Sequence, residues 1–302
     1  MEQGKLAEAN ALSDRLVGAR GQLSATLYTG SPRDQISRVN LRLPVALRLG
    51  DWDRVLTLLD QASLADEKNT ANLRFLAAEL RDFAGGMRAL ERNEVAEAQT
   101  ASAQMDAGLW RVQQDQLETS KAAMRMKGDA AVKDQKVEKK DDTPMVPIMP
   151  DAMAGPLISS LSIASLELRA GILAQQGKLE DAKKLYATAV KDEKGLGYRE
   201  PPSYIRPVGE TEAATLIRVK DYAGAKSAYE AALAERPDSG FGLYGLARVK
   251  ELSGDKDGAR VGYQAFLKSW PAADANLPEV THAREVLGGQ TLTARDGNQA
   301  IH

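Results

Sequence analysis

The chain has 302 residues, 43% of them hydrophobic, enough to bury one extended core or two compact ones. Forty basic against forty-two acidic side chains leave a net charge of −2, so neither nucleic acid nor anionic lipid is expected as a partner. With no cysteine and only His282 and His302 as histidines, disulfides, thiolate centres and histidine clusters are excluded, and no cofactor or metal is expected.

No run of about eighteen apolar residues stands out, and no basic segment followed by an apolar one opens the chain, so neither a membrane span nor a signal peptide is expected. The compartment, cytoplasmic or periplasmic, stays open. The opening, MEQGKLAEANALSDRL, sets Gly4 five residues ahead of Ala9 and predicts a helix from 5 to about 20. It reads as the second half of a hairpin whose first helix would lie upstream. Part of the stripe of Leu6, Leu12 and Leu16 is then expected to lack cover and to drive self-association. Ser31 and Pro32 read as N-cap and first residue of the next helix, and RLPVALRLGDWDRVLTLLD carries a turn at Gly50 and Asp51. Pro44 is expected to kink that pair, and Val55, standing where Ala9 stood, to splay it. A third pair runs from about 70 to 120, with Gly85 and Gly86 on its first helix, Asn93 at the turn and Ala98 at the small position.

Between 127 and 156 the helical period stops. The part up to Thr143 has balanced charges and reads as a solvated tether. Beyond it, Met145, Met149 and Met153 invite a copper(I) reading because thioethers are soft ligands. Pro147 and Pro150 forbid the single helix that would gather the sulfurs, which favours methionine as packing filler.

From 157 onward the sequence repeats. Ala225, Tyr229 and Pro237 recur as Ala259, Tyr263 and Pro271, each 34 residues later, and Ala182 and Tyr186 keep the same spacing upstream with Gly177 at the turn that Gly254 fills later. Each unit reads as two amphipathic helices. Small residues at Ala170, Ala213 and Ala247 on the first helices, and at Ala182, Ala225 and Ala259 on the second, allow a close crossing; the aromatic fills the gap between hairpins and the proline stops the second helix. Between Ala182 and Ala225 the segment GLGYREPPSYIRP adds nine residues, held extended by Pro201 and Pro202, from which Tyr198 and Tyr204 can lie on a neighbouring hairpin. Phe266 stands where earlier units have Ala189 and Ala232, so NLPEVTHAREVLGG is expected to close the array with one helix, and TLTARDGNQAIH to be a disordered tail.

These repeats resemble the tetratricopeptide family, and with the Y-x-E-P-P stretch resemble the C-terminal region of large bacterial members of it without assigned activity. The resemblance covers roughly 155 to 290 and implies an all-α, right-handed solenoid of helical hairpins, about 11 to 12 helices in all. The resulting division is a degenerate repeat segment over 1–126, a linker over 127–156, a repeat array with capping helix over 157–290, and a tail over 291–302. The family's activity is protein or peptide binding on the concave face, which places Phe241, Tyr244, Arg248 and Glu251 on that side of one first helix, and Glu210, Ile217 and Arg218 on that of the one before. Some members clamp a chaperone-tail carboxylate with asparagines; Ala214 and Arg248 at the matching positions argue against such a clamp. No phosphate loop, nucleophile elbow or metal-ligand pair is present, so no enzyme is expected. The alternative is the interaction region of a longer protein whose upstream part carries a catalytic, sensor or envelope-assembly function.

Overall fold

A computed structural model of the chain describes residues 3–20, 32–62, 64, 71–131, 155–197, 204 and 206–288. Among these there are thirteen helices and no strand, which confirms the all-α class and exceeds the expected helix number. They are α1 (Leu6–Arg20), α2 (Pro32–Val39), α3 (Leu43–Leu49), α4 (Trp52–Asp60), α5 (Ala71–Glu91), α6 (Val95–Ala131), α7 (Gly155–Gln175), α8 (Leu179–Gly195), α9 (Val208–Arg218), α10 (Tyr222–Glu235), α11 (Gly240–Leu252), α12 (Lys256–Ser269) and α13 (Pro278–Gly288). The Met145, Met149 and Met153 segment, Tyr198, the Pro201–Pro202 pair, Ser31 and the tail fall outside the described residues.

The excess comes from residues 32–49, where a break replaces the expected kink. Asn40 ends α2; its side-chain oxygen accepts from the Arg42 amide at 3.0 Å and its amide donates to Leu58 O at 3.1 Å. Pro44 thereby falls in the first turn of α3, where its missing N–H would have had no helical partner anyway.

The hairpins share one turn. Gly50, Asn93, Gly177, Lys220 and Gly254 all adopt positive φ, from 60° to 89°. After each, the next amide reaches five residues back to a helix carbonyl: Asp51 to Ala46, Glu94 to Ala89, Lys178 to Leu173, Asp221 to Leu216 and Asp255 to Lys250, at 2.8–3.1 Å. Asp51, Asp221 and Asp255 then cap the second helix by accepting from the amides of Arg54, Gly224 and Gly258. Sequence therefore stops one helix and starts the next within two or three residues, which forces antiparallel pairs: α3 with α4, α5 with α6, α7 with α8, α9 with α10 and α11 with α12.

The crossings are as close as their alanines suggest. Ala170, Ala182, Ala213, Ala225 and Ala247 are fully buried, and a Cβ on Gly262 would stand 2.7 Å from that of Ala247. Ala259, 1% exposed, faces the same crossing in the C-terminal cluster. Ala259→Leu is expected to cost about 1–3 kcal/mol by overpacking, read as a lower midpoint in urea; an unchanged midpoint would place Ala259 off the crossing.

One core joins helices on both sides of the 132–154 segment. Leu43, Leu47 and Trp52 pack with Leu76, Phe83 and Met87 of α5 and with Leu157, Leu161 and Leu168 of α7. A side chain on Gly86 would strike Leu168, so α5 and α7 nearly touch. The helix α6 also continues through Ala131, five residues into the expected linker. Within α7, Leu157–Gln175 is long and apolar enough to cross a membrane, which run-counting missed because serines, Glu167 and Arg169 interrupt it. In the fold 72% of that window is buried, so its apolar side chains face α5, α6 and α8.

The first helix meets the last ones. Gly4, at φ +70°, lies against the Trp270 ring; Gly4 O accepts from the Asp274 amide at 3.0 Å, and the Asp274 carboxylate accepts from the amides of Leu6 and Ala7 at 2.9 and 2.8 Å. Asp274 thus caps a helix from the far end of the chain. Of the stripe, Leu6 is covered, 5% exposed among Trp270, Leu277 and Val280, while Leu12 is exposed and the Leu16 side chain lies outside the described residues.

Candidate functional site

The seven residues assigned to a concave face lie on α9 and α11, and the fold gives them three kinds of neighbour. Glu210, in the first turn of α9, is buried beneath α3. Arg48 of α3 reaches it with both terminal nitrogens, Nη1 to Oε2 at 2.8 Å and Nη2 to Oε1 at 3.3 Å. The Ser239 hydroxyl, which also caps α11, donates to Glu210 Oε1 at 2.8 Å. Phe241 supplies the floor: the Arg48 guanidinium carbon stands 4.0 Å from its ring centroid. A planar cation is held edge-on by a carboxylate and face-on by a ring, which is the geometry guanidinium suits and ammonium does not.

Helix α3 is a wedge. Leu43, Ala46 and Leu47 pack into the core of α2–α7, while Val45 and Leu49 join the cluster of Ala247, Tyr263, Phe266 and Trp270. The part of the face around Glu210 and Phe241, expected to be open, is filled by this chain's own residues. Arg218 also faces the N-terminal helices: its Nη1 is 4.0 Å from Glu91 of α5 and its Nη2 donates to Thr215 at 2.9 Å. Burial lowers the Arg218 pKa from its usual value. Ile217 is half-buried in the cluster of Ala213, Leu216 and Ala225.

Tyr244, Arg248 and Glu251 form a second group, facing α13. The Tyr244 ring packs against Tyr263, Phe266 and His282 with centroids 5.7, 5.4 and 6.1 Å away. Glu251 accepts from the Tyr263 hydroxyl, from Arg248 at 2.8 Å and from His282 Nε2 at 2.9 Å. Burial alone would raise the Glu251 pKa, but these three donors hold it down at about 2. Arg248 and Glu251 keep about a third of their side chains exposed, so this strip is reachable from solvent. Ala214, at the other clamp position, is half-buried and offers no polar group.

Two described residues of the insertion, Tyr204 and Arg206, pack on the core. The Tyr204 hydroxyl donates to Glu167 of α7, and Arg206 lies 5.2 Å over the Trp52 ring. The Glu193 carboxylate of α8 accepts from the Val208 amide at 3.0 Å and from Arg236 at 3.1 Å, fixing where α9 starts. Glu167 is pushed up to about 7 by burial, against the lowering effect of the Tyr204 hydrogen bond.

Arg48, Ser239 and His282 were not found by sequence reasoning. Ser239 carried a signal, an N-cap serine before the glycine-rich start of α11; Arg48 carried none, since its stretch departs from the repeat. Among the described residues no group of three or more histidine or acidic side chains is placed to hold a metal ion. No protein-family model, curated protein or solved structure matches the chain.

Proposed function

We propose that the protein is a non-enzymatic binding scaffold of the tetratricopeptide type, a solenoid whose concave side takes a protein or peptide segment. The observation that supports this reading is the grip on α3. Glu210, Ser239 and Phe241 hold an arginine-bearing helix brought from 162 residues away in sequence, so this side has the chemistry to seat a helix. That seat is filled in cis, which leaves the strip of Tyr244, Arg248 and Glu251 beside His282 for a partner. Tyrosine and arginine supply anchors there, and the guanidinium favours an acidic partner segment.

Tyr244 is packed on three rings, so its truncation would loosen α13 as well as alter binding. Arg248→Gln is the cleaner test, because it removes the charge without setting a second carboxylate beside Glu251. With protein partners captured by cross-linking from native extract, Arg248→Gln is expected to reduce capture several-fold at a melting temperature within a few degrees of the parent. Lys226→Glu on the exposed face of α10 serves as control. Equal capture by Arg248→Gln, with loss in Lys226→Glu, would overturn the concave assignment.

A further inference from the structure

Where α2–α5, α7 and the insertion meet, packing is incomplete. A cavity of about 50 Å³ remains, walled mostly by apolar side chains such as Leu47, Trp52, Phe83 and Ala164, with Ser160, Glu167, Tyr204 and Arg206 also in its lining. Glu167 is 1% exposed, and while its Oε2 accepts from Tyr204, its Oε1 has no hydrogen-bond partner; Arg206 Nη1 is likewise buried without one. A buried carboxylate oxygen left unpaired costs about 1–3 kcal/mol, more when charged, and here the acceptor in a mostly apolar cavity has beside it the Thr211 hydroxyl, itself unpaired, as the donor a ligand would have to displace. The size limits the occupant: a dry cavity of roughly 150 Å³ takes benzene, and this one is about a third of that.

We infer that this cavity is a binding site for a small neutral amphiphile, a short alkyl chain carrying one hydroxyl that donates to Glu167 Oε1. The hydroxyl oxygen remains free to accept from Arg206, and the alkyl part replaces empty contact with Trp52, Leu161 and Ala164. The site lies apart from the strip around Arg248 and does not rest on the scaffold reading. The competing arrangement is a closed one, in which the neighbouring Thr211 turns its hydroxyl onto Glu167 and nothing enters.

The isomers ethanol and dimethyl ether, the size the cavity allows, separate the two, since they have the same atoms but only the first has an O–H donor. Titrated at a pH above 8, where Glu167 is ionised, into the full-length protein and followed by amide and indole NMR shifts, ethanol should give saturable changes confined to residues 157–167 and the Trp52 indole. Dimethyl ether should bind roughly tenfold more weakly, the worth of one hydrogen bond to a charged group. Ala164→Val, which fills the cavity, should abolish the saturable shifts in a protein that still unfolds cooperatively; Lys226→Glu should leave them unchanged. Linear, non-saturating shifts, equal binding of the two isomers, or undiminished binding by a folded Ala164→Val protein would each overturn the inference.

Discussion

Arg48→Ala should destabilise the protein by about 3–5 kcal/mol, the loss expected when one member of a buried ion pair is removed and the other is left buried without its partner. The side chains of Arg48 and Glu210 are only 2% and 8% exposed, so water cannot take over the orphaned carboxylate. Ser239 would keep one hydrogen bond on Glu210, while Phe241 would lose its cation and α3 its hold on α9. Because the pair is shielded, the effect should change little between low and high salt, unlike that of the exposed pair Arg42–Asp14. The double variant Arg48→Met with Glu210→Met should recover most of the loss, since apolar residues of similar length remove both desolvation costs together. Urea unfolding of the parent and the two variants measures this. A loss under about 1 kcal/mol for Arg48→Ala would mean that α3 does not seal the seat, and that Glu210 and Phe241 are open to solvent.

How the pair escaped sequence reasoning shows what periodicity encodes. The C-terminal hairpins were legible because their constraint is local: a positive-φ residue, an aspartate cap and an alanine crossing recur at fixed offsets, and Gly177, Lys220 and Gly254 share the same turn. Lys220 shows the limit even there, since a lysine carries no turn signal and only the period marks it. What the spacing could not encode is which element covers which face. Helical spacing placed Glu210 and Phe241 on one side of α9 and α11, and that side is occupied by a seven-residue helix whose own pattern departs from the repeat. The stripe near the start shows the same limit: Leu12 is exposed, but Leu6, which has no covering neighbour in sequence, is covered by Trp270 and Leu277 from the other end. Which distant element covers a face is set by how all the helices pack together, which no single hairpin specifies.

A second large effect should appear against pH, and it comes from α5 and α6 instead of the proposed binding face. Glu79 is 3% exposed, with Oε1 pressed against Gly108 so closely that a side chain there would collide with it, and with Oε2 lacking any hydrogen bond. Burial, reinforced by Asp82 and then Asp106 and opposed by Arg111, pushes its pKa up to about 8. A carboxyl whose folded pKa lies above its unfolded value stays protonated in the fold after the unfolded chain has released its proton. Stability therefore falls as pH rises from the unfolded pKa of 4.5 toward 8, and is flat beyond. Each pH unit within the window removes up to about 1.4 kcal/mol. Glu212 and Glu167 act in the same direction but only up to about 6 and about 7, so the segment between pH 7 and 8 isolates Glu79. In Glu79→Gln, which keeps the shape and has no proton to lose, that segment should flatten, and at pH 8.5 the variant should be more stable than the parent by on the order of 2–4 kcal/mol. Urea midpoints measured from pH 5 to 9 test this. Parallel curves for the two proteins would show that Glu79 is ionised in the fold, with solvent reaching it beside Gly108.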